Sequence, residues 1–127
     1  MKHILVVEPD TVLANIYKSA LQKQEYSVAV AGNAQLAIDQ IDAWRPDIVV
    51  LELQLGGHGG VEFIYELRSH IDLQDIPIII HTLTPLQDVK KFSKALDLLK
   101  VYTLLYKPTS SIQTLSNKIK HALQSTA

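Results

Sequence analysis

The sequence predicts an α/β fold in which helices cover both faces of a parallel sheet. Five short runs of β-branched and aliphatic residues alternate with stretches whose apolar residues recur at helical spacing. Two of these runs, 48–51 and 76–80, are apolar almost without alternation, which is typical of strands buried on both faces. Strand–helix alternation of this kind favours a doubly wound open sheet with right-handed crossovers.

The predicted strands span residues 4–7, 27–31, 48–53, 76–82 and 101–106. Each is followed by a predicted helix, because apolar residues in the following segment share one helical face. In chain order these faces are Leu13, Ile16, Ala20 and Leu21; Ala34, Ala37, Ile38 and Ile41; Val61, Ile64, Tyr65 and Leu67; Val89, Phe92, Ala95 and Leu96; and Ile112, Leu115, Ile119 and Ala122.

Residues that cap helices stand at the expected places in the chain. Asp10 and Asn33 precede the first two helices, and Thr84 followed by Pro85 is a favoured start for the fourth. The last helix has Thr109 or Ser110 as its predicted cap.

Composition narrows the class of protein. The 127 residues include no cysteine, which excludes disulfides, thiolate metal sites and a cysteine nucleophile. Twelve Lys and Arg against thirteen Asp and Glu give a net charge of −1, so there is no global electrostatic case for nucleic acid or an anionic membrane as partner, and a local basic patch is left as the alternative. No apolar run has the length of a signal peptide or a membrane span. We predict one soluble, cytoplasmic domain over residues 1–127.

Polar residues stand where the predicted strands end. Glu8 and Asp10 follow the first strand, Glu52 ends the third, Thr82 the fourth, and Lys107 follows the fifth. In open α/β sheets, sites form beyond the carboxyl ends of the strands. Taken singly, Asp10 is a helix cap, Thr82 a turn residue and Lys107 a solvated charge. Glu52 interrupts an apolar run, so its charge needs water or a partner such as Lys107.

Five segments in order carry a family resemblance over nearly the whole chain. They are residues 4–7 before an acidic turn, 45–51 (Arg-Pro-Asp-Ile-Val-Val-Leu), 60–62 (Gly-Val-Glu), 76–82 (Ile-Pro-Ile-Ile-Ile-His-Thr) and 106–108 (Tyr-Lys-Pro). Together they resemble a response-regulator receiver domain, the CheY-like partner of sensor histidine kinases. The resemblance implies a flavodoxin-like (βα)5 sheet in the order 2-1-3-4-5 and a cis peptide between Lys107 and Pro108.

The chain departs from this family at the acceptor site. The family phosphorylates an aspartate with the help of Mg²⁺ held by an acidic pair, but here the acceptor position is Glu52 and the pair reads Glu8-Pro9, with Asp10 one place too late. Glutamate moves the carboxylate out by about 1.5 Å, and a misplacement of about 1 Å can cost roughly 10²-fold in rate. Mg²⁺ needs near-octahedral oxygen ligands, which Pro9 does not supply. We therefore expect no ordinary phosphorylation, no metal site and no cofactor, with Mg²⁺ needed only by an adapted acceptor site.

Other positions match the family more closely. Thr82 and Lys107 stand at its switch hydroxyl and site lysine, and Leu104 stands where the family often has a switch aromatic. The segment 97–101 lacks the family's usual glycine and is one residue longer.

The glycine-rich loop and the histidines carry little chemistry of their own. The loop follows the third strand and fits no nucleotide-binding spacing, so we predict only mobility for it. No two of the five histidines have the spacing of a zinc site. The loop residues are Gly56, Gly57, His58, Gly59 and Gly60.

We predict a phosphorylation-independent, receiver-like signalling domain, not an enzyme, that acts by protein–protein contact. Its expected partner is a sensor kinase or a downstream effector, with a homodimer through the fourth helix, fifth strand and fifth helix as a further expectation from the family. The alternatives are a working Mg²⁺-dependent phospho-receiver and a small flavodoxin-like enzyme. At the site itself, Glu52 either stands in permanently for a phosphoryl group or belongs to an inactive site and faces water.

Overall fold

The computed structural model describes residues 1–57 and 59–125. Its centre is a five-stranded, all-parallel sheet in the order β2-β1-β3-β4-β5, which confirms the predicted fold class and strand order. The strands are β1 (His3–Val7), β2 (Ser27–Ala31), β3 (Ile48–Leu51), β4 (Ile78–Thr82) and β5 (Thr103–Tyr106).

The strands are aligned so that their carboxyl ends meet at one edge of the sheet. Val7 pairs with Leu51 and Leu51 with Ile80, while Thr82 pairs with Tyr106. Three strands are shorter than predicted. The third ends at Leu51 rather than at residue 53, and the fourth and fifth each begin two residues late. At the start of the fourth, Pro77 has no N–H to donate to a ladder.

The helices are α1 (Thr11–Gln22), α2 (Ala34–Ala43), α3 (Gly60–Arg68), α4 (Leu86–Val89), α5 (Ser93–Leu98) and α6 (Ile112–Ser125). The fourth predicted helix is thus two short helices joined by a 3₁₀ turn, Lys90–Phe92. Phe92 leaves helical geometry, with φ −105° and ψ 2°, which interrupts the hydrogen-bond ladder between α4 and α5. Within the described residues, no helix is both long and apolar enough to cross a membrane.

Two hydrophobic clusters sandwich the sheet. One joins the sheet to α2, α3 and α5, and the other joins it to α1 and α6. Neighbouring residues of β3 alternate between the clusters, with Val49 in the first and Val50 in the second, so the strand is buried on both faces as its apolar run predicts.

The buried helix faces agree with prediction for α2 and α6 but not for α1. There the buried residues are Ala14, Tyr17 and Leu21, whereas Ile16 is 49% exposed. On α3, Tyr65 also lies on the exposed side. Leu13 packs partly buried against the second cluster, so the error lies in Ile16, which the prediction placed on the buried face in the position that Tyr17 occupies.

The capping predictions are right for the first two helices. The carboxylate of Asp10 accepts the Leu13 N–H at 3.1 Å, and the Asn33 side chain accepts the Leu36 N–H at 2.9 Å.

The other two caps each lie one residue or more further along the chain. Pro85, rather than Thr84, is the N-cap of α4. Ser111 caps α6 in place of Thr109 or Ser110, with its hydroxyl accepting the Thr114 N–H at 3.1 Å. The α6 cap lies later than predicted because a 3₁₀ turn, Lys107–Thr109, precedes this helix.

The expected cis peptide before Pro108 is also wrong. Among the described residues every peptide bond is trans. Pro108 lies within the 3₁₀ turn, whose φ suits the fixed ring geometry of proline.

A left-handed residue stands in the segment that lacks the family's glycine. Lys100 adopts φ +57° just before β5. The guanidinium of Arg68 holds this turn, donating to the Leu99 carbonyl at 2.8 Å and to the Ile76 carbonyl at 2.8 Å. The turn therefore forms without glycine, at the energetic cost that a side chain has in this region.

Candidate functional site

Four polar side chains that the sequence places at strand ends lie together in the structure. Glu8 and Glu52 follow β1 and β3, Thr82 ends β4, and Lys107 follows β5. Glu8 and Glu52 are each 4% exposed, Thr82 is fully buried, and the Lys107 side chain is 8% exposed. They converge because the parallel strands end in register. We call these four residues the acidic pocket.

Lys107 links the two carboxylates of the acidic pocket. Its Nζ lies 2.5 Å from Oε1 of Glu8 and 2.7 Å from Oε1 of Glu52. Such short contacts are typical of charge-assisted hydrogen bonds. Lys107 is therefore a buried counterion and not a solvated charge.

Glu52 accepts four hydrogen bonds. Its Oε1 accepts from Lys107 Nζ and from the Leu83 N–H at 3.0 Å. Its Oε2 accepts from the Gln54 N–H at 3.0 Å and from the Thr82 hydroxyl. Glu52 is consequently shielded from water, contrary to the alternative in which it faces solvent.

The charge on Glu52 is stabilised where it lies. Burial by itself would raise the pKa of this carboxyl. The hydrogen bonds from Lys107, Thr82 and the backbone N–H groups of Gln54 and Leu83 outweigh burial and hold its pKa below the ordinary value of 4.5. Glu52 is therefore an anion at neutral pH.

Thr82 connects Glu52 to the β4–α4 loop. Its hydroxyl donates to Glu52, and its oxygen accepts the Thr84 N–H at 3.0 Å. Thr84 Oγ1 is 2.9 Å from Thr82 Oγ1. Together with the Leu83 N–H, these contacts bind the first two loop residues to the Glu52 carboxylate.

Asp10 is outside the acidic pocket. Its exposed carboxylate caps α1, and it contributes only its backbone N–H, which donates to Glu8 Oε2 at 3.1 Å. Pro9, which replaces the second acid of the family's pair, is exposed. Among residues 1–57 and 59–125, no group of three His, Cys, Asp or Glu residues is arranged to hold a metal ion. The donor set therefore does not fit the Mg²⁺ that the family implies.

Sequence reasoning missed the aromatic partner of His81. Tyr17 of α1 is 1% exposed, and its hydroxyl lies 2.5 Å from Nδ1 of His81 in β4. Burial raises the pKa of Tyr17, and the charge of Glu8 raises it further. Burial lowers the pKa of His81, as does the charge of Lys107. Both rings are neutral at pH 7. The available signal was the spacing of Ala14, Tyr17 and Leu21 on one face of α1.

Leu104 lies in β5 beside Ile80, half-buried against the cluster under α2, α3 and α5. It makes packing contacts there.

The glycine loop leads from the acidic pocket into α3. Gly56 and Gly57 adopt φ +67° and +43°, a region that favours glycine. Gly59 is the N-cap of α3 and Gly60 its first residue. His58 lies outside the described residues.

The chain is similar to a known protein family and to several bacterial regulators. The response regulator receiver domain family matches residues 4–120. The transcriptional regulatory protein KdpE of Staphylococcus aureus is 34% identical over 94 residues, which are 74% of this chain and 38% of KdpE. The DNA-binding response regulator MtrA of Mycolicibacterium smegmatis is 32% identical over 81 residues, 64% of this chain and 34% of MtrA. The chain thus spans little more than a third of these relatives.

Solved structures share the fold along almost the full chain. A sensor protein from Polaromonas sp. JS666 superposes with a TM-score of 0.89 at 23% identity, over 99% of this chain and 98% of that protein. A CheY-like receiver domain protein from Methanospirillum hungatei JF-1 gives a TM-score of 0.86 at 21% identity, over 98% of this chain and 95% of that protein. The response regulator TrrA from Thermotoga maritima, in complex with Mg²⁺-BeF, gives a TM-score of 0.80 at 25% identity, over 96% of this chain and 99% of that protein. From the strand order, the residues at the strand ends and the family match over residues 4–120, we conclude that this chain belongs to the response regulator receiver domain family.

Proposed function

We propose that this domain, a response regulator receiver in two-component signalling, holds a signalling conformation without phosphorylation and acts through contact with another protein. The observation that carries the proposal is the environment of Glu52, a buried carboxylate with four hydrogen-bond donors. Its negative charge is permanent at neutral pH because these donors lower its pKa.

Two of the four donors to Glu52 are groups that the family resemblance assigns to the response to phosphorylation. Thr82 stands at the switch hydroxyl and Lys107 at the site lysine, and both already contact the Glu52 carboxylate. The longer glutamate side chain thus supplies a negative group to these two positions without a kinase.

The same contacts make Glu52 a poor phosphoryl acceptor. Phosphoryl transfer depends on in-line positioning of an attacking oxygen and on neutralisation of charge. Both oxygens of Glu52 are occupied by two donors each, and the residue is 4% exposed. An attack would require the carboxylate to leave these partners first.

An inactive site is the main alternative to a permanent mimic. One carboxylate carries less charge than a phosphoryl group and lacks its three acceptor oxygens. The two hypotheses differ in what removal of the Glu52 charge does. A mimic loses its signalling conformation, and with it partner binding, whereas an inactive site loses only stability.

The expected partner is a second signalling protein. Response regulators interact with sensor kinases and effectors, and we infer that one of these contacts the face formed by α4, α5, β5 and α6, which a second copy of the chain would also use. This face combines exposed apolar side chains with lysines: Leu86, Leu98, Tyr102, Lys90, Lys91 and Lys94. Some relatives are named as DNA-binding regulators, so we restrict the expectation of no nucleic-acid contact to this domain, where the net charge of −1 supports it.

Phosphorylation is tested by incubating the protein with Mg²⁺ and acetyl phosphate and measuring its intact mass. We expect no phosphoryl adduct on the wild type. The double variant Pro9→Asp/Glu52→Asp restores both family acids and is the matched control, in which we expect an adduct. An adduct on wild-type Glu52 would refute the proposal in favour of a phospho-receiver with an adapted acceptor site.

The signalling conformation is tested by amide hydrogen exchange. The Leu83 and Gln54 N–H groups donate to Glu52, so we expect them to be protected in the wild type whether or not beryllium fluoride and Mg²⁺ are present. In Glu52→Gln we expect faster exchange at both amides. If beryllium fluoride alters wild-type exchange around Leu83, the domain still responds to a phosphoryl-like group and the proposal fails.

A further inference from the structure

The acidic pocket contains its own cation. The Lys107 ammonium lies within 2.7 Å of an oxygen of each of the two glutamates, and all three side chains are at least nine-tenths buried. Two carboxylates this close to each other would repel strongly in a buried site without a positive charge between them.

The carboxylate oxygens have little capacity left for a second cation. An ionised carboxylate offers about four lone-pair positions. Glu52 uses four, for Lys107, Leu83, Gln54 and Thr82. Both oxygens of Glu8 also accept, Oε1 from Lys107 and Oε2 from the Asp10 N–H.

The chain offers no other acid to complete a metal site. Proline stands at position 9, and the Asp10 carboxylate caps α1. Mg²⁺ requires near-octahedral oxygen ligation and keeps several waters. Glu8 and Glu52 are each only 4% exposed, and Lys107 occupies the position between them. A divalent ion and the Lys107 ammonium therefore compete for the same two carboxylates.

We propose that Lys107 permanently takes the place of a divalent cation in this domain, so that the acidic pocket neither binds nor needs Mg²⁺. The ammonium neutralises one of the two buried charges and fixes both carboxylates. This inference does not depend on whether the domain signals without phosphorylation, because divalent-ion binding is measured without any phosphoryl donor.

The test compares melting temperatures in EDTA and in Mg²⁺. We expect wild-type Tm to be the same in both, and Lys107→Met to be strongly destabilised in EDTA, because two buried carboxylates then lack a cation. We expect Mg²⁺ to stabilise the double variant Pro9→Asp/Lys107→Met, which regains the missing acid, by roughly 10 °C in Tm when Mg²⁺ is present at 100 times the Kd of that variant for the ion. Lys120→Met is the matched control on the exposed side of α6, and its Tm should be unaffected by Mg²⁺.

A direct measurement on the wild type decides the proposal even if Lys107→Met does not fold. Binding of Mn²⁺ is followed by the loss of its free-ion electron paramagnetic resonance signal. Absence of stoichiometric binding at millimolar Mn²⁺ supports the proposal, and one bound ion per chain with a rise in Tm overturns it. A Lys107→Met variant as stable in EDTA as the wild type also overturns it, since the lysine would then not be needed to neutralise the two buried carboxylates.

Discussion

The charge of Glu52 is predicted to stabilise the fold as well as the loop after β4. The substitution Glu52→Gln keeps the shape of the side chain and removes its charge. An amide oxygen has two acceptor positions, so it can retain at most two of the four donors that contact Glu52. The NH₂ group of glutamine then faces the remaining donors.

The expected loss is about 3 kcal/mol in the free energy of unfolding. Two buried donors left without acceptors cost about 1–3 kcal/mol each. Removing one partner of a buried ion pair costs about 3–5 kcal/mol, but Lys107 keeps Glu8 as a partner, which limits this contribution. A loss of about 3 kcal/mol corresponds to a decrease in Tm of roughly 10 °C for a chain of this size.

Urea unfolding followed by circular dichroism measures this loss. Glu66→Gln makes the same substitution at an exposed position of α3 and serves as control, with an expected change within about 0.5 kcal/mol. Because the folded state lowers the pKa of Glu52, its contribution is present above the ordinary value of 4.5 and is lost as pH falls through the folded value. The difference between wild type and Glu52→Gln should therefore shrink in acid. Equal stability at pH 7, or a difference that persists unchanged to pH 3, would refute the reasoning.

Three further predictions concern the scaffold. Gly60→Ala should lower the free energy of unfolding in urea by about 1–3 kcal/mol, because the new Cβ would lie 2.7 Å from the Leu53 Cα. Equal stability would show that the backbone at Leu53 moves away at no cost. Lys100→Gly should raise the free energy of unfolding by about 0.5–1 kcal/mol, because glycine adopts φ +57° without steric cost. Lys94→Gly, within α5, is the control and should lower it by a similar amount. Two changes of the same sign would contradict this prediction. Burial lowers the pKa of His81, so the free energy of unfolding should fall as the pH drops below 6.5, the ordinary pKa of histidine. In His81→Asn the free energy of unfolding should depend less on pH between 7.5 and 5.5. An unchanged pH dependence would contradict this assignment.

The fold was predictable because its signals are local and repeated. The β2 run 27–31 matches the strand at both ends, and the Asp10 and Asn33 caps form as predicted. The interruption of the fourth helix at Phe92 was not predictable from its apolar spacing, because that spacing continues across the break.

The candidate site was predictable in its membership but not in its contacts. Parallel strands that end in register bring Glu8, Glu52, Thr82 and Lys107 to one edge, and this follows from topology alone. Tyr17 was missed because its partner lies in β4, 64 residues further along the chain.

The sequence by itself determined the fold class, the strand order through its family resemblance, and the acids and the lysine at the strand ends. Only the tertiary structure decided that Glu52 is buried with four donors, that Lys107 binds both glutamates and that Asp10 lies apart as a cap. The number and approximate positions of the strands follow from hydrophobic periodicity, which is a local property of the chain. Hydrogen-bond partners of long side chains depend on differences of about 1 Å between elements distant in sequence, and packing sets these only when the whole fold has formed.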